Sequence, residues 1–242
     1  IYLDPKNFVN NFSGNIIYKK TKIYKSDLVS TFPNNKKLNL TINTNENNEK
    51  ITTIYSENPK PLLSSYKFIK GFEEGILDFY SVKRNNVSES VLKISDFKIQ
   101  EVPVLAKLLT LASLQGIADL LTGEGIRFDD FELKFTSKDK LMRIDELYAI
   151  GPAISIMMEG YIEKNNLISL KGTLVPATTI NRTIASIPLL GNILVGKKVG
   201  EGVFGVSFKI KGPKDKLKTT VNPIKTLTPR FITRTLEKLK KN

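Results

Sequence analysis

Residues 154–174 read ISIMMEGYIEKNNLISLKGTL, and this stretch decides the fold. Ile154, Ile156, Met158 and Ile162 stand at even positions. After the polar Lys164-Asn165-Asn166, the alternation resumes at Ile168, Leu170 and Leu174. A period of two places one set of side chains on one face of a half-buried strand. Two such runs joined by a short Asn-rich turn predict a β-hairpin.

Working outward, Phe204, Val206, Phe208 and Ile210 alternate in the same way. Strands are also predicted at 15–21, 37–44, 51–55, 75–82, 91–99, 128–136 and 141–150, the last carrying Met142 and Ile144. Many short strands joined by tight turns favour an antiparallel meander over a parallel sheet. The expected fold is therefore mainly β (α+β), a strongly curved antiparallel sheet or groove with short helices at its edges. Pro103–Leu121 carries a wide apolar stripe and predicts a helix pair broken at Gly116 and stopped by Gly123. Shorter helices are predicted at 61–69, 178–187 and 228–241. Residues 1–88 read as an N-terminal β unit of the same groove, 89–227 as a β/helix module and 228–242 as a basic amphipathic terminal helix.

Composition narrows the function. The 242 residues include neither Cys nor His. That removes thiolate chemistry, the usual base near neutral pH and the commonest metal ligand. No enzyme activity, cofactor or metal is expected. The sequence GEGVFG at 200–205 has the spacing of a dinucleotide fingerprint, but that motif needs a helix after it, and the residues that follow alternate like a strand. Asp130 and Glu132 fall on the polar side of their strand, opposite Phe131, Leu133 and Phe135, and do not have calcium-loop spacing.

The net charge of +13 has two readings, a surface for polyanions or the Lys/Asn/Ile bias of an AT-rich coding sequence. Cations and aromatics are not interleaved as stacking platforms require, so nucleic acid is not an expected partner. The apolar run at 102–121 is interrupted by Lys107, Gln115 and Asp119, short of a spanning helix. The chain opens on Ile1 without a charged segment leading into an apolar run, so it is expected to lack a signal peptide and to follow some preceding segment.

Several segments together resemble a known family. They are LKISDFKI at 92–99, PVLAKLLTLASLQG at 103–116, LLTGEGI at 120–126 and GPAI at 151–154, then GTLVP at 172–176, IPLLG at 187–191, GEG at 200–202 and VNP at 221–223. In this order they resemble the C-terminal region of AsmA-like proteins, the YhdP/TamB-type bacterial envelope proteins, over residues 64–231. Residues 1–63 match less clearly. The resemblance implies a periplasmic, membrane-associated β-groove belonging to an inner-membrane-anchored protein. It also implies phospholipid passage towards the outer membrane. The anchor and most of the groove length that the resemblance implies are expected to lie outside this sequence.

The physics of that role is simple. Two acyl tails in water cost ~25 kcal/mol at ~0.8 kcal/mol per CH₂, so they need continuous apolar cover. Four strands advance a trough by ~19 Å, against a leaflet hydrocarbon depth of about half of ~30 Å. The expected lipid contacts are Met142, Ile144, Ile154, Ile156, Met158, Ile168, Leu170, Leu174, Phe204, Val206 and Phe208. The same alternation would serve equally as core beneath the helices. Arg230, Phe231, Arg234, Leu236 and Lys238 on the terminal helix are the expected membrane- or partner-docking residues. The alternative function is a structural or docking cap that binds an envelope protein or membrane surface without carrying lipid.

Overall fold

A computed structural model describes residues 1–3, 7–63, 71–163, 167–176, 205–213 and 216–224. Twelve strands follow one another: β1 (Asn10–Lys19), β2 (Lys22–Thr31), β3 (Lys37–Thr44), β4 (Lys50–Ser56), β5 (Gly71–Arg84) and β6 (Val87–Gln100), then β7 (Ile126–Lys138), β8 (Leu141–Ile150), β9 (Ile154–Glu163), β10 (Leu167–Pro176), β11 (Gly205–Pro213) and β12 (Lys218–Ile224). They form one sheet in chain order, every ladder is antiparallel, and β1 and β12 do not pair with each other. The expected curved antiparallel meander is thus the observed fold, an open sheet with three short helices. The division at 88/89 falls inside β6, and the β5–β6 ladder runs on both sides of it.

Two strands escape the period-two reading. In β2 the positions facing the apolar side include Ser26 and Ser30, both buried, so the hydrophobic alternation is interrupted. β12 is short and Thr-rich and carries Pro223, which is tolerated on an edge strand because no inner ladder needs its missing N–H. β11 begins at Gly205, the last glycine of the motif, so a strand stands where a dinucleotide site requires a helix.

Three helices interrupt the meander: α1 (Lys60–Leu63), α2 (Pro103–Leu111) and α3 (Gln115–Thr122). Pro103 begins α2, where its missing N–H is not needed. The break between α2 and α3 corrects the expectation of one at Gly116. It lies at Ala112–Leu114, where Ser113 takes φ 58° and the Leu114 N–H reaches back to the Leu109 carbonyl, while Gly116 sits in the first turn of α3. Gly123 does stop α3, its N–H donating to the Asp119 carbonyl. The predicted terminal helix and the 178–187 helix lie outside the described residues, as does 64–69 of the 61–69 prediction.

The core sits where α2 and α3 meet the sheet. The α2–α3 hairpin leaves between β6 and β7, α3 packs on both, and α2 also touches β12. The C-terminal strands therefore bend round towards the hairpin, and the face it touches is concave. Strict alternation resets at one point of the β5–β6 ladder, where Glu74, Gly75 and Asp96 all have positive φ. The inward set on β6 shifts there from Leu92 and Ile94 to Phe97 and Ile99, as a bulge-like irregularity allows. The shift lets Phe97 stack between Phe72 (centroids 5.2 Å apart) and Phe128 (5.5 Å), with Phe131 edge-on at 6.2 Å.

Candidate functional site: an apolar face along the sheet

Directly paired residues in an antiparallel ladder share a face, so the registers trace one surface across the strands. On β9 and β10 the pairs are Ile162 with Ile168, Gly160 with Leu170, Met158 with Gly172, and Ile156 with Leu174. β11 continues the row with Val206 opposite Leu174 and Phe208 opposite Gly172. On the other side, Met142 faces Ile162, and Ile144 faces Gly160. The row then runs through Phe135, Leu133 and Phe131 on β7 to Leu92 and Ile94 on β6, and Phe79 and Leu77 on β5. It reaches Ile54 on β4, Leu40 and Ile42 on β3, and Leu28 on β2.

The structure therefore brings ten of the eleven expected lipid-contact residues onto one face. Phe204 lies outside the described residues, as do Arg230, Phe231, Arg234, Leu236 and Lys238. The ten differ in cover. Ile154, Leu174, Val206 and Phe208 are buried in the cluster that includes Leu105, Leu108, Leu109 and Leu121 of the helices. Ile156, Met158 and Leu170 are half-buried at the margin of that cluster. Met142 and Ile168 are half-buried and Ile144 is buried, all outside it.

Sequence reasoning passed over the N-terminal part of this face. Leu28, Leu38, Leu40 and Ile42 are half-buried and belong to no buried cluster. The alternation of Leu38, Leu40 and Ile42 was the available signal. Their neighbours on the face include Ser26, Ser30 and Ser56, small hydroxyls that weaken the pattern. Ser30 donates to the Leu38 carbonyl at 3.1 Å.

The opposite face carries ion pairs along its middle strands. Lys134 lies 2.9 Å from Glu132 and 4.0 Å from Glu146, and Lys93 lies 3.7 Å from Glu132. Lys171 pairs with Glu159 at 2.9 Å. Asp130 shares the side of Glu132, away from Phe131 and Leu133, as alternation requires. At the turn between β3 and β4, Arg84 donates to Glu49, and this bond above all, with Asn45, holds the Glu49 carboxyl below the usual carboxylate range and raises Arg84. Glu57 is lowered mainly by the Lys37 backbone N–H at 2.8 Å. Tyr55 is raised, first by desolvation and then by its bond to Glu57.

Among the described residues, no three acidic side chains are placed to hold a metal ion, and no helix is long and apolar enough to cross a membrane. No family model, curated protein or solved structure matches this chain.

Proposed function

We propose that the protein is a non-catalytic envelope module whose apolar trough shelters phospholipid acyl chains during passage between membranes. The observation that carries this reading is the single apolar face running from β2 to β12, with helices packed on only part of it. Ten strand spacings of ~4.8 Å give a path of about 48 Å along the sheet. Tails laid on such a face exchange water for apolar contact at every step, so no single transfer bears the ~25 kcal/mol of exposing them. The resemblance to AsmA-like proteins points to the periplasm and to an association with the membrane.

The alternative is a docking cap without lipid. It is favoured by the burial of Ile154, Leu174, Val206 and Phe208 beneath the α2–α3 hairpin, which makes part of the C-terminal face ordinary core.

Native mass spectrometry after purification without added lipid separates the two. Co-purifying phospholipid, reduced by Leu40→Asp in a protein that keeps its β circular dichroism, supports the trough. A clean apo mass that stays clean after incubation with phospholipid vesicles rejects it and leaves the cap.

A further inference from the structure

Among the described residues, one long edge of the trough is basic. One edge holds the turns β1–β2, β3–β4, β5–β6, β7–β8, β9–β10 and β11–β12. The other holds the β2–β3, β4–β5 and β8–β9 connections and the α2–α3 hairpin. Among the described residues of the first edge, counting each turn with its flanking strand-end residues, nine Lys or Arg stand against four carboxylates. Arg84 on the first edge is already engaged by Glu49 and Glu89. The excess gathers in Lys19, Lys20 and Lys22 at one end, and in Lys138, Lys140, Lys216 and Lys218 towards the other. The first group carries no carboxylate in its turn; in the second, Asp139 lies between Lys138 and Lys140, and Asp215 precedes Lys216 in the sequence.

The apolar face reaches this basic edge. Met142 follows Lys140 by two residues, and across the ladders it faces Ile162, which faces Ile168. All three are half-buried and outside the helix-packed cluster. At the next step inward Ile144 and Leu170 face Gly160, where a side chain would collide with the Ser169 carbonyl and with Leu170. A row of exposed cations above a half-open apolar strip is the inverse of an anionic amphiphile.

We infer that the turn edge is a headgroup lip. Anionic phospholipids of a bilayer leaflet place their phosphates at the lysines of the β7–β8 turn or, four strands along the same edge, of the β11–β12 turn, and their tails enter over Met142, Ile162 and Ile168. The inference rests on the acyl-sheltering reading and adds a lipid class and an entry side to it. Lys is a compact, strongly hydrated charge that attracts phosphate without fixing its orientation. The attraction acts within a Debye length of about 8 Å at physiological salt, so only the lip feels it.

The test uses the full chain with two vesicle types, phosphatidylglycerol mixed with phosphatidylcholine, and phosphatidylcholine alone. Lipid taken up is counted by mass spectrometry after the vesicles are removed. The combined variant Lys138→Ser, Lys140→Ser, Lys216→Ser and Lys218→Ser is expected to lose about tenfold in phosphatidylglycerol uptake and to keep phosphatidylcholine uptake. The same four positions changed to Arg are expected to restore it, and raised salt is expected to erase the wild-type preference. Equal uptake of both lipids by the wild type, unchanged in the serine variant, overturns the lip while leaving the trough. No uptake of either lipid overturns both. A preference for RNA over either vesicle type that is lost in the serine variant also overturns the lip, by assigning these lysines to a nucleic acid.

Discussion

Replacing Leu121 by Ala separates what holds the helices to the sheet from what lines the open trough. Leu121 is fully buried in α3, which packs on β6 and β7. Removing its isopropyl group deletes three carbons, ~2.4 kcal/mol of transfer free energy at ~0.8 kcal/mol each. The surrounding Leu and Phe side chains close only partly over the cavity, which brings the loss to about 3–4 kcal/mol, within the range of measured Leu→Ala changes. Ile42→Ala is the paired control. Ile42 is half-exposed on the same face but outside the helix-packed cluster. Water or neighbouring groups reach the site, so the cavity contribution vanishes and the loss stays near 1 kcal/mol. The chain has eight Tyr and no Trp, so urea unfolding is followed by tyrosine fluorescence and by circular dichroism. With a slope of ~3 kcal/mol per molar urea, Leu121→Ala lowers the midpoint by about 1 M and Ile42→Ala by about 0.3 M. Equal losses would show Ile42 in a sealed core and refute the open trough. A loss below about 1 kcal/mol for Leu121→Ala would refute the docking of the hairpin.

Two further perturbations probe the N-terminal strands. The folded pKa of Glu49 is depressed, so its contribution is complete above its unfolded value of about 4.3 and fades as pH falls through the folded value. Stability measured from pH 7 down to pH 3 should therefore fall less steeply in Glu49→Gln than in the wild type, and identical acid limbs would show the Arg84 bond to be immaterial. All ten residues of β1 are exposed, Ile16, Ile17 and Tyr18 among them. An apolar edge of this length templates strand addition. Sedimentation velocity should show concentration-dependent self-association that Ile17→Lys weakens, and a wild type that stays monomeric at all concentrations contradicts this.

The meander was legible because its signal is local. The segment 37–44 alternates cleanly and forms β3 over those same residues, and Leu141–Ile150 likewise gives β8. What stayed hidden depends on neighbours far along the chain. The serines of β2 read as loop until Ser26 and Ser30 are seen facing Ile42 and Leu38 across the ladder. The helix break at Ser113 was assigned to Gly116, because glycine is the usual breaker and nothing local marks a serine for positive φ. The slip of phase at Asp96 becomes intelligible only once Phe72, Phe97 and Phe128 are seen stacked.

The same reasoning explains why alternation could not say which residues touch ligand. Leu174 and Ile168 lie six residues apart on β10 and on the same face. Leu174 is completely buried in the cluster that includes helix side chains, whereas Ile168 is half-buried near the basic turn edge. Period two reports the face and carries no information on position along the strand. Position is set by the α2–α3 hairpin, which enters the sheet some fifty residues earlier in the chain and covers one side of it. Stability and openness are thereby distributed along each strand. The helix-side ends hold most of the fully buried residues, and the turn-side ends keep apolar surface within reach of a ligand. Local opening should follow the same gradient, since backbone bonds far from the packed core open at lower free energy. If the proposed acyl-sheltering role holds, the turn-side ends are where the sheet would open around a lipid tail, while the helix-packed ends stay closed.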